Sequence, residues 1–236
     1  MWSDLQVLAA ARGVELSEQT ITSFHKYFDL ITAANRELNL TRITDPREVM
    51  VKHFLDSLEL LTWRHEPRGM LLDVGSGAGL PGIPLKIARP ELEVVLLDSS
   101  RKKINYLEDT ITKLEIAGIS ALHSRAEDLA KLEDWRDSAD LVVSRALASL
   151  NILLELCLPF VRPGGVFIAY KGPTYETDLQ ATAPALSLLN GRHTESRPYT
   201  LPFGMGGRAL LIFEKTGVTP RQFPRRAGMP HKRPLT

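Results

Sequence analysis

An apolar run that ends at an acid and turns at once into alternating glycines, Leu71-Leu72-Asp73-Val74-Gly75-Ser76-Gly77-Ala78-Gly79, constrains this chain more than any other stretch. It reads as a buried strand passing into a tight turn whose backbone a ligand can approach, because glycine has no Cβ and tolerates positive φ. A helix is expected from about Pro81, its unpaired N–H groups aimed back at the turn. That geometry makes a nucleoside site, and two occupants compete for it. Gly77-x-Gly79-x-x-Gly82 spells a dinucleotide motif, with Asp98 placed for a ribose. Two residues count against a dinucleotide. Pro81 lacks the N–H that a phosphate would seek, and Asp73 sets a carboxylate where a diphosphate would be repelled. The sulfonium and α-ammonium of S-adenosylmethionine (SAM) suit that carboxylate, so SAM is the favoured reading.

The chain's 236 residues, 44% of them hydrophobic, can bury a core without staples. Its N-terminal residues show no basic leader, and no stretch approaches the roughly 18 apolar residues of a membrane span. A soluble, cytoplasmic protein with no membrane partner is expected. The single cysteine, Cys157, lies among leucines, which suits core packing and implies neither an internal disulfide nor a metal site. The net charge of +1 hides an asymmetry. Five Lys or Arg and no acid follow Thr216, which leaves 24 basic residues against 28 acidic ones in the rest. Four prolines punctuate this basic tail, so an extended segment displaying its cations is expected, either solvated or in contact with phosphates.

Residues 1–65 read as a helical extension. Ile21, Phe24, Phe28, Ile31 and Leu38 recur at helical spacing after a Ser17 cap, and the chain turns at Asn39-Leu40-Thr41. A second helix is signalled by Asp45-Pro46-Arg47-Glu48, with Met50, Phe54, Leu58 and Leu61 as its stripe. Residues 66–216 alternate as a mostly parallel sheet with helices on both faces. Strands are predicted near 70–74, 93–98, 119–123, 140–144 and 166–170, and helices near 81–89, 100–116 and 150–160. A helix near 175–189 and an edge hairpin from strands near 193–200 and 208–214 follow, bringing the sheet to seven strands. Residues 217–236 are the basic tail, and the three parts are expected to form one compact unit.

In such a sheet the ligand lies outside the carboxyl ends of the strands. The first strand end offers Asp73 and the glycines. The second offers Asp98, for the ribose hydroxyls or as a helix cap. The third leads into Arg125-Ala126-Glu127-Asp128, a turn suited to an adenine edge, and the fourth ends in Ser144-Arg145-Ala146. Arg145 points to a ligand, with a salt bridge to a local acid as the other reading. The chemistry can be narrowed by what the fourth strand lacks. Amine methylation on bases uses Asn or Asp followed by Pro-Pro-aromatic at this place, and the chain has Ser-Arg-Ala-Leu. Pyrimidine C5 methylation needs a nucleophilic cysteine, and Cys157 sits among leucines. Guanine N7 needs neither device, because its lone pair lies in the ring plane and carries no proton. Alignment alone can then supply about 7–11 kcal/mol of barrier reduction, and no general base is required.

The chain resembles the glucose-inhibited-division protein B family nearly end to end. The likeness rests on Asn35-Arg36-x-x-Asn39-Leu40-Thr41, His53-x-x-Asp56-Ser57-Leu58, residues 73–82 and Asp98-Ser99-x-x-Lys102-Lys103. Arg125-Ala126-Glu127, Ser144-Arg145-Ala146, Lys171-Gly172 and Pro224-Arg225-Arg226-x-Gly228-x-Pro230 complete it. Ala34 and Phe223 depart from the usual tryptophan and the common tyrosine. The resemblance implies a class I SAM-dependent methyltransferase of Rossmann-like α/β fold. It implies methylation of guanine N7 in 16S ribosomal RNA held within a small-subunit particle, by a monomer that releases S-adenosylhomocysteine. The implied cofactor residues are Asp73, Gly75, Ser76, Gly77, Gly79, Leu80, Pro81, Asp98, Ala126, Glu127 and Arg145. Arg145, Lys171 and His53 are candidates for positioning the substrate, His53 and Asp56 also for bonding to each other or to a nearby loop. Arg36, Lys102, Lys103, Arg221, Arg225, Arg226, Lys232 and Arg233 are candidates for RNA contact, and Tyr170 and Phe203 for stacking on an extruded base. Competing readings are a methyltransferase for another RNA or a small molecule, an NAD-dependent oxidoreductase, and a non-catalytic RNA-binding assembly factor.

Overall fold

The computed structural model describes residues 2–64, 66–145 and 148–235. Two N-terminal helices, α1 (Trp2–Ala10) and α2 (Glu18–Leu38), precede a helical run. That run holds α3 (Pro46–Val49), a π-helical stretch Met50–Leu55, α4 (Asp56–Leu58) and α5 (Leu60–Trp63). The caps read from the sequence are present. Ser17 accepts the Thr20 N–H, Asn39 closes α2 in the left-handed region, and Asp45 accepts the Glu48 N–H. Sequence reading missed α1, whose two turns bury only Leu5 and Ala9 and so give a weak periodic signal. It also missed the π-helical stretch, which the spacing of Met50, Phe54 and Leu58 does not reveal.

The sheet has seven strands in the order β3-β2-β1-β4-β5-β7-β6. They are β1 (Met70–Val74), β2 (Glu93–Asp98), β3 (Ile119–His123), β4 (Ala139–Arg145), β5 (Val161–Lys171), β6 (Gly191–Thr200) and β7 (Gly207–Lys215). The first five run parallel, and the β6–β7 hairpin adds antiparallel to β5. Chain order reverses at β1, between β2 and β4, which opens a crevice at the carboxyl ends. Strand alternation divides the core. Leu71 and Leu96 face α2, α6 (Gly82–Ala88) and α7 (Arg101–Leu114), while Leu72 and Leu97 face α8 (Ala126–Leu129) and α9 (Leu150–Cys157). Phe24, Tyr27 and Phe54 belong to the same apolar cluster as Leu71 and Leu96, so the N-terminal helices share the first of these cores.

Three expectations are corrected. The helix near 175–189 is two, α10 (Tyr175–Gln180) and α11 (Ala183–Leu188), because Pro184 in the first turn of α11 cannot continue α10. Strand β5 begins at Val161, since Val161 pairs with Ala139 across a bulge ahead of the Gly164-Gly165 pair. The basic tail is not a free extended segment, although Arg221, Arg226, Lys232 and Arg233 are exposed as expected. It folds back on the α9 face, burying Phe223, Pro224, Pro230 and Leu235, and forms α12 (Met229–Lys232). Its prolines exclude a long helix but not a short turn with Pro230 in the first positions. Among the described residues, no helix is long and apolar enough to cross a membrane, and no group of three His, Cys, Asp or Glu could hold a metal ion.

Candidate active site

A cavity of about 450 Å³ opens at the carboxyl ends of β1, β2, β3 and β4. Val74, Gly75, Ser76, Gly77, Ala78 and Leu80 form one side, Asp98, Ser99 and Lys103 another, and Ala126, Glu127 and Arg145 close it with Leu40, Thr41, His53 and His231. The glycines divide by role. A Cβ built on Gly77, at φ +59°, would meet only the Gly75 carbonyl at 3.9 Å, so its space belongs to the cavity. A Cβ on Gly79 would strike Ile83 and the Tyr27 hydroxyl, and one on Gly82 would strike Leu96 and Asp73. Gly82 permits close packing of α6 on the sheet, Gly79 lets Ile83 and Tyr27 of α2 approach the turn, and neither Gly79 nor Pro81 lines the cavity.

Asp73 is fully buried and also outside the lining. Alternation along β1 turns it toward α6, where Oδ2 accepts the Gly82 N–H at 2.9 Å. The expectation that it greets a ligand cation directly is therefore corrected: Asp73 ties the strand to the helix and fixes the turn between them. Burial pushes its carboxyl up to about 7, against the pull of the Gly82 N–H and of Arg145. Its Oδ1 is buried with no hydrogen-bond partner.

The helix-cap alternative weighed for Asp98 is not met, since Ser100 is the N-cap residue of α7, and Asp98 stands ahead of it in the cavity lining. Oδ1 accepts the Ser100 N–H at 2.9 Å, and Oδ2 accepts the Gly77 N–H at 3.0 Å with Lys103 Nζ at 3.6 Å. This draws β2 and the glycine turn together and leaves lone pairs facing the cavity. Lys103 lines the pocket with its side chain 40% exposed, and Lys102 is exposed. Glu127 is buried, and its Oε1 accepts the N–H of Gly228 at 2.8 Å.

Arg145 stands where this cavity meets a second, of about 360 Å³, lined by Lys52, His53, Asp56, Tyr170, Lys171 and Arg208 among others. The local acid considered for it exists. Its Nη1 donates to Asp56 Oδ2 at 3.0 Å and to the Lys52 carbonyl at 3.1 Å, and Nη2 lies 3.5 Å from His53 Nδ1. Asp56 Oδ1 in turn accepts the Tyr199 hydroxyl at 2.7 Å. His53 and Asp56 are joined through Arg145 and not to each other, and His53 Nε2 reaches Thr41 Oγ1 at 2.8 Å. Burial, then the Arg145 charge, lower His53 to about 4, so the imidazole is neutral at physiological pH. Lys171 pairs with Asp178 at 2.7 Å at the far side of the second cavity. Tyr170 is buried and donates to the Ser57 carbonyl, its ring edging that cavity. Phe203 is 53% exposed beneath the Arg47 guanidinium and lines neither cavity. Ala146 and Leu147, the rest of the run after β4, lie outside the described residues.

Of the expected RNA-contacting cations, Arg36, Lys102, Arg221, Arg226, Lys232 and Arg233 are exposed. Arg225 is not on display. Its backbone N–H and Nε both donate to Glu155 Oε1, at 2.9 and 2.8 Å, and its Nη2 takes the other oxygen. A fully buried carboxylate needs such a partner, and α9 supplies no other cation. No pocket signal for Thr41, Arg208 or His231 was legible in the sequence. Asn39-Leu40-Thr41 was visible as a turn, but only the packing of α2 brings it to the cavity.

A family model described as rRNA small subunit methyltransferase G matches residues 20–199. A ribosomal RNA small subunit methyltransferase G from Lachnoclostridium phytofermentans is 45% identical, covering 94% of this chain and 93% of its own. One of the same name from Alkaliphilus oremlandii is 41% identical over 96% of this chain and 95% of its own. Among solved structures, a SAM-dependent methyltransferase from Aquifex aeolicus superposes with a TM-score of 0.54 at 17% identity, over 75% of this chain and 97% of that one. The fold is that of the class I SAM-dependent methyltransferases.

Proposed function

The chain belongs to the rRNA small subunit methyltransferase G family, and we propose that it transfers a methyl group from SAM to N7 of a guanine in 16S ribosomal RNA. The residues of the cavity at the strand ends fit SAM. The space beside Gly77 admits a ligand against the backbone, Asp98 offers acceptors to a ribose diol, and Ala126 and Glu127 present an edge for adenine. Asp73 Oδ1 is a buried acceptor without a partner behind the turn, so a cationic ligand nearby favours its ionised form. Bound SAM supplies an electrophilic methyl group on a sulfonium; the chain's own residues align it with the acceptor.

The observation that carries the choice of N7 is the state of the second cavity. Among the described residues one carboxylate lines it, Asp56, and this already accepts from Arg145 and Tyr199. Among the described lining residues no other acid is present to take a proton from an exocyclic amine, while Arg145, Lys52, Lys171 and Arg208 are donors. The Hoogsteen edge of guanine presents two acceptors, N7 and O6, which suits a donor-lined wall. Methylation at N7 would need no base from the chain, because N7 carries no proton to remove, so the residues here would only hold the guanine edge in line with the methyl donor. Arg145 and His53 position the substrate at the junction of the two cavities. Exposed Arg36, Lys102, Arg221, Arg226, Lys232 and Arg233 hold phosphates of the RNA, within a small-subunit particle, as a monomer acting in the cytoplasm.

Mass spectrometry of 16S rRNA fragments from cells with and without the gene tests the proposal. One 7-methylguanosine should vanish with the gene and return with the wild-type chain but not with Asp98→Ala. An unchanged 16S profile overturns it, and loss of the mark from another RNA reassigns the substrate.

A further inference from the structure

The C-terminal segment is fastened to the domain at successive points. Thr219 donates its N–H to both oxygens of Asp137 at 3.2 Å and its hydroxyl to Oδ1 at 2.9 Å, beside the buried Lys215 ammonium. Arg136 takes the carbonyls of Thr219, Pro220 and Phe223 at 2.8, 3.0 and 2.9 Å. Arg225 forks onto Glu155. The last attachment is to the pocket itself, where the Gly228 N–H holds Glu127 Oε1. Gly228 has φ +79°, a left-handed bend that starts α12 and brings His231 into the cavity lining. On the same short stretch Arg226, Lys232 and Arg233 are exposed.

We propose that residues 225–235 are a two-sided strap: His231 contacts the bound cofactor and Gly228 positions Glu127, while Arg226, Lys232 and Arg233 hold phosphates of the acceptor RNA. The inference rests on the SAM reading above and deepens it. RNA phosphates engaging the outer face restrain the same segment that walls the pocket, so each ligand tightens the other. The two effects must be equal in size, because a coupling free energy is reciprocal.

Calorimetric titration of S-adenosylhomocysteine into the full chain tests this, for wild type and His231→Ala, with and without a 16S rRNA transcript. His231→Ala should bind several-fold more weakly at an unchanged thermal midpoint, since the side chain it removes is exposed. The transcript should raise the wild-type affinity, and saturating S-adenosylhomocysteine should raise transcript affinity by the same factor. Equal affinities for wild type and His231→Ala overturn the contact, and indifference to the transcript overturns the coupling. A wild-type chain that binds no S-adenosylhomocysteine overturns the SAM reading instead, so the two failures are distinct.

Discussion

At one wall of the pocket, the N-terminal helices are held by rings. Phe54 lies 6.0, 5.2 and 5.4 Å from the ring centroids of Trp2, Phe24 and Tyr27, and Tyr27 donates to the Ala78 carbonyl in the glycine turn at 2.6 Å. At the other, the C-terminal strap is held by charge, with Arg225 on buried Glu155 and Arg136 on three carbonyls. Apolar packing is non-directional and spread over many atoms, so the ring cluster of the first wall responds little to salt. Charge-assisted bonds are few and directional, so the second wall can be released by removing one acid. The difference suits a fixed wall that shapes the pocket and a releasable one that carries exposed cations.

The largest test of this contrast is Phe54→Ala, expected to cost about 3–5 kcal/mol of stability. Its unfolding midpoint in urea should fall with the slope retained, and a loss below about 1 kcal/mol would remove the ring cluster as the source of the first wall's rigidity. The pH response ranks next. Folded His53 refuses a proton until about pH 4, whereas the unfolded residue accepts one near 6.5, so its contribution is lost as pH falls between those values. The loss approaches roughly 3 kcal/mol at the acid end, and His53→Gln should remove it from the difference between the two stability–pH curves. Asp73 acts in the opposite sense. The folded acid keeps its proton up to about 7, so its burial costs stability as pH rises from about 4 to about 7, which is why the comparison is made between variants.

Glu155→Gln follows, at about 2 kcal/mol, because Arg225 is partly exposed and can turn to water once its charged partner is gone. The distinguishing readout is proteolysis: cleavage should concentrate after residue 219 in Glu155→Gln and not in Phe54→Ala. The smallest effect is Tyr27→Phe, expected at about 1 kcal/mol for the single bond to Ala78. It should also weaken S-adenosylhomocysteine, measured by calorimetry, because that bond braces the glycine turn. Unchanged affinity would mean that the ring alone supports the turn.

The strands and caps were legible because their signals are local. Asp45-Pro46-Arg47-Glu48 is a helix start within four residues, and the run from Leu71 to Gly79 is a strand and turn within nine. Asp98 was legible for the same reason, as an acid at a strand end. The environment of Arg145 was not, because Asp56 is 89 residues away and reaches it only when the helical run packs over β4. The role of Asp73 was misread for a smaller reason: the strand period fixes the side to which a residue turns, but not what stands there. The tail was misread because its prolines specify which structures are excluded and say nothing of Glu155 or Glu127.

By itself, then, the sequence determined a mostly parallel sheet with a glycine turn at the carboxyl end of its first strand, since periodicity and turn chemistry act over a few residues. Only the tertiary structure decided which charges remain available. Arg225 and Asp56 are spent on internal partners, and Lys103 belongs to the pocket. Burial makes an unpaired charge so costly that distant partners are drawn together, and those partners, at separations of 70 and 89 residues, leave no local mark in the chain.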